Sequence, residues 1–130
     1  MATILGLATP SITVNNNTVA IVPSSFKYKA GAGERTVSTQ SSGGSNVDIV
    51  VTEDVTTKKS YCSFDLRTTV ENIKLFELMQ SGVGTNSVLA ADNRVGFSKA
   101  FDQMTVITDP EIAAAQDGSF TVEMEGAAIF

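Results

Sequence analysis

The chain has 130 residues, with 9 basic and 14 acidic side chains, no His, no Trp and one Cys. That length suits one domain over 1–130, large enough to bury a core without metal or disulfide. Without His there is no Ser-His-Asp triad, no Cys-His dyad and no His-ligated metal, and one Cys cannot form an internal disulfide. The net charge of −5 argues against a general nucleic-acid binder, which needs Lys and Arg to neutralise phosphates.

Residues 1–10 lack the basic n-region and long apolar core of a signal peptide. No apolar stretch approaches the roughly 20 residues of a membrane-spanning helix. A soluble protein that engages no membrane is therefore expected.

In chain order, 12–14 and 19–22 flank Asn15-Asn16-Asn17-Thr18. Asn tolerates left-handed backbone angles, so this predicts a hairpin. Phe26-Lys27-Tyr28-Lys29 alternates apolar and cationic, a half-buried strand with both lysines on one face. Gly31-Ala32-Gly33 is a turn, and 34–39 continues in extended form. The polar, Gly-rich run 38–46 reads as a flexible loop or the tip of a long hairpin. Val47, Ile49 and Val51 then alternate with polar neighbours, and 54–59 is a polar turn.

Cys62, Phe64 and Leu66 alternate with Ser63, Asp65 and Arg67, which places Cys62 on an apolar strand face as an inert thiol. Thr68-Thr69-Val70-Glu71 matches a capping box with Thr68 as the N-cap. The helix that follows runs through Gln80 and stops at Ser81-Gly82. Its apolar residues Val70, Ile73, Leu75, Phe76, Leu78 and Met79 surround the axis at 100° per residue. One side faces the fold, so a loop or a neighbouring subunit must cover the other. Strands are expected around 87–90 and over 96–108, and a turn or a short helical turn over 109–115. Phe120, Val122 and Met124 alternate with Thr121, Glu123 and Glu125, the cleanest strand pattern in the chain. The apolar end, Ala127 to Phe130, is expected to dock on the fold or on a neighbour.

Chemistry-bearing motifs are sparse. Glu53-Asp54 reads as a solvated turn rather than a metal site, and no calcium-loop pattern is present. The Gly-rich pieces lack a following Lys-Ser/Thr and are turns rather than phosphate loops. No segment supplies a nucleophile, base and oxyanion set, so neither an enzyme nor a cofactor is expected.

Several of these pieces together resemble the tail tube proteins of long-tailed bacteriophages. They are Thr18-Val19-Ala20-Ile21-Val22-Pro23 with Ser25-Phe26-Lys27-Tyr28-Lys29, and the strand 60–67 leading straight into the helix. After the helix come Asn86-Ser87-Val88 and Gly96-Phe97-Ser98-Lys99-Ala100-Phe101-Asp102-Gln103-Met104. The last are Asp109-Pro110-Glu111-Ile112 and the segment 117–126. The tube-forming protein of type VI secretion systems shares that fold and is usually longer.

The resemblance implies a mainly β fold, a β-sandwich or partly closed barrel of two packed antiparallel sheets flanked by one α-helix. It implies hexameric rings that stack into a hollow tube, through which DNA passes to the host without specific binding. Its partners would be itself, a tape-measure protein, a sheath where the tail contracts, and tail-terminator or baseplate proteins. Assembly would take place in the host cytoplasm, and the product would belong to the virion. Under that reading Asp48, Asp65, Asp102, Glu123 and Glu125 are lumen-lining candidates, each of which could instead be an outer-surface charge. Ile73, Leu75, Phe76, Leu78, Met79, Ile129 and Phe130 are subunit-interface candidates. Ser41, Ser42, Gly43, Gly44 and Ser45 form the inter-ring loop. The competing reading is the icosahedral coat protein of a small RNA phage. That family places its helices at the C-terminus and presents a basic RNA-binding sheet, whereas here the helix is central and the end reads as strand. An enzyme or small-ligand module with paired carboxylates would need two of them about 5–10 Å apart in a pocket.

Overall fold

The computed structural model describes residues 3–129; Phe130, expected at an interface, lies outside them. The elements run β1 Ser11–Val14, β2 Asn17–Val19, β3 Lys27–Lys29, β4 Glu34–Gly43, β5 Asn46–Asp54, a 3-10 turn Val55–Thr57, and β6 Ser60–Arg67. They continue with α1 Val70–Ser81, β7 Asn86–Asp92, β8 Phe97–Val106 and β9 Ser119–Gly126. Seven strands form one antiparallel sheet in the order β2-β1-β7-β8-β9-β6-β3. Because β2 and β3 remain as free edges, the sheet is not closed into a barrel. Strands β4 and β5 make a separate two-stranded sheet.

The long sheet folds over at β8. Its first part, together with Met104, pairs with β7, and it pairs with β9 only at Thr105 and Val106. Within the β7 pairing, between Phe101 and Met104, Gln103 adopts a left-handed φ of 56°, uncommon for a non-glycine residue, and the register shifts. The bend sets two groups of strands face to face over one core. Ile12, Val14, Val88, Ala90 and Phe101 come from one group, and Cys62, Phe64, Leu66, Phe120, Val122 and Met124 from the other. Period-two alternation accounts for that selection, since alternate residues of a strand point to one face.

The first hairpin turns on Asn15 and Asn16, both at positive φ (50° and 69°), as a two-residue primed turn requires. Its second strand is shorter than expected and ends at Val19. Of the two readings of 38–46, the end of a long hairpin is the one observed, and the flexible loop is not. β4 continues through it to Gly43, so the tip is confined to Gly44 and Ser45. Residues 109–115 form no helix.

The helix occupies its expected place, but its N-cap is Thr69 rather than Thr68, and Thr69 Oγ1 accepts from Asn72 N at 3.2 Å. Thr68 is held elsewhere, its N–H donating to Gly118 O at 3.0 Å. Phe76 and Met79 enter the core, with Phe76 tilted against Phe120 at a ring separation of 5.1 Å. Ile73 and Leu75 pack against that core, whereas Val70 and Leu78 are exposed. The buried Asn86 amide ties the helix end to the sheet. Its Nδ2 donates to Met79 O, Gly82 O and Met104 O at 2.9–3.2 Å, and its Oδ1 accepts from Asn15 Nδ2.

Replacing Asn86 with Ala should lower unfolding stability by about 2 kcal/mol, because buried carbonyls lose their donor. Leu78→Ser should change it by no more than about 0.5 kcal/mol. Urea denaturation of both variants checks this, and an Asn86→Ala protein as stable as wild type would sink the staple.

Candidate functional site

The most conspicuous surface feature is the arm made by β4 and β5. Every residue of both strands is exposed. The register places Arg35 opposite Glu53, Val37 opposite Val51, Thr39 opposite Ile49 and Ser41 opposite Val47. Residues directly opposite share a face, so Val37, Val47, Ile49 and Val51 line one side of the ribbon. They are 65%, 61%, 65% and 54% exposed. The other side carries Glu34, Asp54, Thr36, Thr52, Gln40 and Asp48, with Val50 the exception. The ribbon is thus amphipathic, and among the described residues nothing covers its apolar face. An isolated two-stranded hairpin is marginally stable in water, and an exposed apolar face of this kind is a candidate contact surface.

The root of the arm is tightly built. Glu53 bridges Arg35 (3.3 Å) on the opposite strand and Lys58 in the turn beyond. The Lys58 hydrogen bond and charge, followed by Arg35, hold the Glu53 carboxyl below its ordinary value. Asp54 is also held low, by hydrogen bonds from the Thr56 hydroxyl and N–H. Glu34 N donates to Thr57 Oγ1 at 2.7 Å. Gly31 has a φ of 101°, and a Cβ there would lie 2.9 Å from Ala128 Cβ and from the Lys59 carbonyl carbon, so the chain can enter the arm here only as glycine. A cleft of about 480 Å³, lined by Lys29, Glu34, Lys59, Tyr61 and Glu125 among others, lies beside this root.

Three of the five lumen candidates share one surface, the outer face of β3, β6 and β9. The rows across it are Asp65–Thr121, Lys27–Ser63–Glu123 and Lys29–Tyr61–Glu125. Each carboxylate has a partner. Thr121 Oγ1 donates to Asp65 (2.7 Å), Tyr61 OH donates to Glu123 (2.9 Å), and Lys59 pairs with Glu125. Burial raises the Tyr61 pKa, and the Glu123 bond adds to it. With Lys27, Lys29 and Arg67 on the same face and Lys59 reaching in, no acidic excess exists there. Asp48 lies on the arm and Asp102 at the β8 bend, so neither joins this group.

The interface candidates divide. Phe76 and Met79 are already buried by their own chain, Ile73, Leu75 and Ile129 are partly covered, and Leu78 is free at 69% exposure. Ile129 N donates to Ala30 O at 2.9 Å, so the C-terminal segment docks on its own fold at that point. Of the inter-ring residues, Ser41, Ser42 and Gly43 are strand residues near the arm's end, and Gly44 and Ser45 make its tip.

Cys62 is buried on the inner face of β6, as its alternation requires, and burial pushes its thiol up to about 12. Among the described residues no group of three His, Cys, Asp or Glu side chains could hold a metal ion. No described helix is long and apolar enough to cross a membrane. The arm's apolar face escapes a composition-based reading because Val47, Ile49 and Val51 have the same alternation as a core strand. The missing signal was the absence of any second sheet to cover them. No family model matches the chain, and no curated protein matches it in sequence.

Glu53→Gln should loosen the arm root, so that trypsin cuts faster at Arg35 and Lys58 while the body stays intact. Unchanged cleavage would sink the clamp. Because the folded Glu53 value is depressed, its contribution is complete above the ordinary value of 4.5 and is lost as pH falls through the lower folded value. Wild-type amide signals of 34–36 should therefore broaden only below that range.

Proposed function

We propose that this chain is a self-assembling structural subunit, and specifically a tail tube subunit of a long-tailed bacteriophage. The observation that carries the self-assembly reading is the arm, an amphipathic β-ribbon about nine residues long whose apolar face the described residues leave uncovered. A surface of this kind reaching away from the body suits heterologous contacts, in which one patch meets a different patch on the next copy. Such contacts close into rings or continue as filaments.

The stoichiometry of six, the stacking of rings and the passage of DNA come from the resemblance in sequence pattern. So do a tape-measure protein, a sheath and tail-terminator or baseplate proteins as partners, and the virion as location. The mainly β, sandwich-like body with one central helix is compatible with that family. On this reading the outer face of β3, β6 and β9 lines the channel, with Asp65, Glu123 and Glu125 as its acids. Their pairing with Tyr61, Thr121 and Lys59 makes that lining mixed in charge, so DNA would move past it on a hydrated surface without a strip of unbroken positive charge. The arm's apolar face would bear on a neighbouring copy, and Leu78 and Val70 of the helix would form a smaller contact.

Negative-stain microscopy of the purified protein at rising concentration tests the proposal. Rings or tubes of uniform diameter are expected. Closed spheres containing RNA would favour a coat protein instead, and a monomer at every salt and concentration would overturn self-assembly. Replacing Val37, Ile49 and Val51 together with Thr keeps β-branching while removing apolar area. That variant should retain the far-ultraviolet spectrum of the wild type and lose the polymers.

A further inference from the structure

A surface whose central rows are uncharged lies on the body, with exposed Asp102 further along β8. The outer face of β2, β1, β7 and β8 has a row Thr18–Thr13–Leu89–Ala100 and, beside it, Ala91 paired with Ser98. Their strand neighbours Ile12, Val88, Ala90 and Phe101 point inward to the core, so these residues point out. Neither of these rows contains a charged side chain, in contrast to the lysines and carboxylates on the outer face of β3, β6 and β9. Leu89, at its centre, is 42% exposed. The side chains around Leu89 are small, so the face is shallow enough to receive a flat ribbon.

We propose that the apolar face of each arm lies across the outer face of the β2-β1-β7-β8 sheet of a second copy. The inference rests on the self-assembly reading and names the surface that the arm uses. The Val37–Val51, Thr39–Ile49 and Ser41–Val47 rows of the arm then cover the uncharged rows around Leu89, and the Arg35–Glu53 ion pair stays at the arm's root. On the charged face the ribbon would instead strip water from lysines and carboxylates and give no hydrogen bonds in return. Arm-to-arm packing would leave Leu89 and its uncharged neighbours wet.

The size of the contact sets how copies join. A nine-residue ribbon is about 30 Å long and about 10 Å wide, or roughly 300 Å² on each partner. The two partners together bury roughly 600 Å², well under the roughly 1,200 Å² of a stable two-chain interface. Each copy gives one arm and receives one, so a closed set makes two such contacts per copy while an open pair makes one. Isolated dimers are therefore short-lived, and assembly passes from monomer to closed ring with little between.

Cysteine cross-linking tests the site, because the native Cys62 is buried and stays silent. Ile49→Cys on the arm and Leu89→Cys on the sheet are made separately and together, with Thr121→Cys on the charged face as control. Under mild oxidation, a mixture of the two single variants should give a disulfide-linked pair, and the double variant should lose its monomer band to a ladder. Ile49→Cys linking to itself, or to Thr121→Cys in preference to Leu89→Cys, would overturn the docking site. Hydrogen exchange of unmodified protein gives an independent reading. Amides of β1 and β7 should gain protection along with those of β4 and β5 as concentration rises, and protection confined to the arm would also overturn the site. Microscopy of the same samples separates the two ideas. Tubes without the 49–89 link defeat the docking site alone, whereas linked ladders without tubes defeat the tube reading alone.

Discussion

The structure depends on the pairing of β6 with β9. Eight consecutive rows, from Ser60 opposite Gly126 to Arg67 opposite Ser119, hold these two strands in register. That register places Cys62, Phe64, Leu66, Phe120, Val122 and Met124 on one side, and Tyr61, Ser63, Asp65, Thr121, Glu123 and Glu125 on the other. A slip of one residue would exchange the two sets and put carboxylates into the core. The rest follows from this pair. β3 adds to its open edge, the helix leaves from the end of β6 and returns Phe76 to Phe120, and β8 bends at Gln103 because it must pair with β9 as well as with β7.

The body and the arm obey the same alternation with opposite outcomes. In β6 and β9 the apolar side meets another layer and is buried. In β4 and β5 it meets nothing among the described residues, because Gly31, Gly33 and the Glu53 cluster direct the ribbon away from the body. Burial of apolar side chains is the dominant favourable contribution to folding. An arm that forgoes it internally is a place where association can supply it.

How much of this could be read in the sequence varies by element. Strand 60–67 and the strand holding Phe120, Val122 and Met124 were legible because their alternation is unbroken and both faces have work to do. The helix was legible in place, but its cap was displaced by one residue. Thr68 and Thr69 are chemically equal, and the choice is made by Gly118, distant in sequence, whose carbonyl takes the Thr68 N–H. The wheel of the helix suggested a wide apolar surplus, yet two of its residues, Phe76 and Met79, go into the core. Residues 38–46 left a flexible loop and a long hairpin tip both open, because Ser and Gly favour turns. Their strand character comes from cross-strand pairing with 46–50, which composition does not record. Among the acids, alternation turned Asp65, Glu123 and Glu125 away from the core, but that they share one face follows from the β6–β9 register, and the lysines beside them come from β3 and the turn before β6.

Left uncovered, the same arm is a hazard to solubility. Its two outer edges present unpaired backbone N–H and C=O groups, and Val47, Ile49, Val50 and Val51 form a compact β-branched run. That is the makeup of a segment that adds strands indiscriminately. Asp48 within the run, Glu53 and Arg35 at its root and the irregular pairing at Ser41 and Gly43 all act as gatekeepers against flat stacking. The chain therefore carries, in one ribbon, both a sticky edge and the devices that keep it from sticking at random.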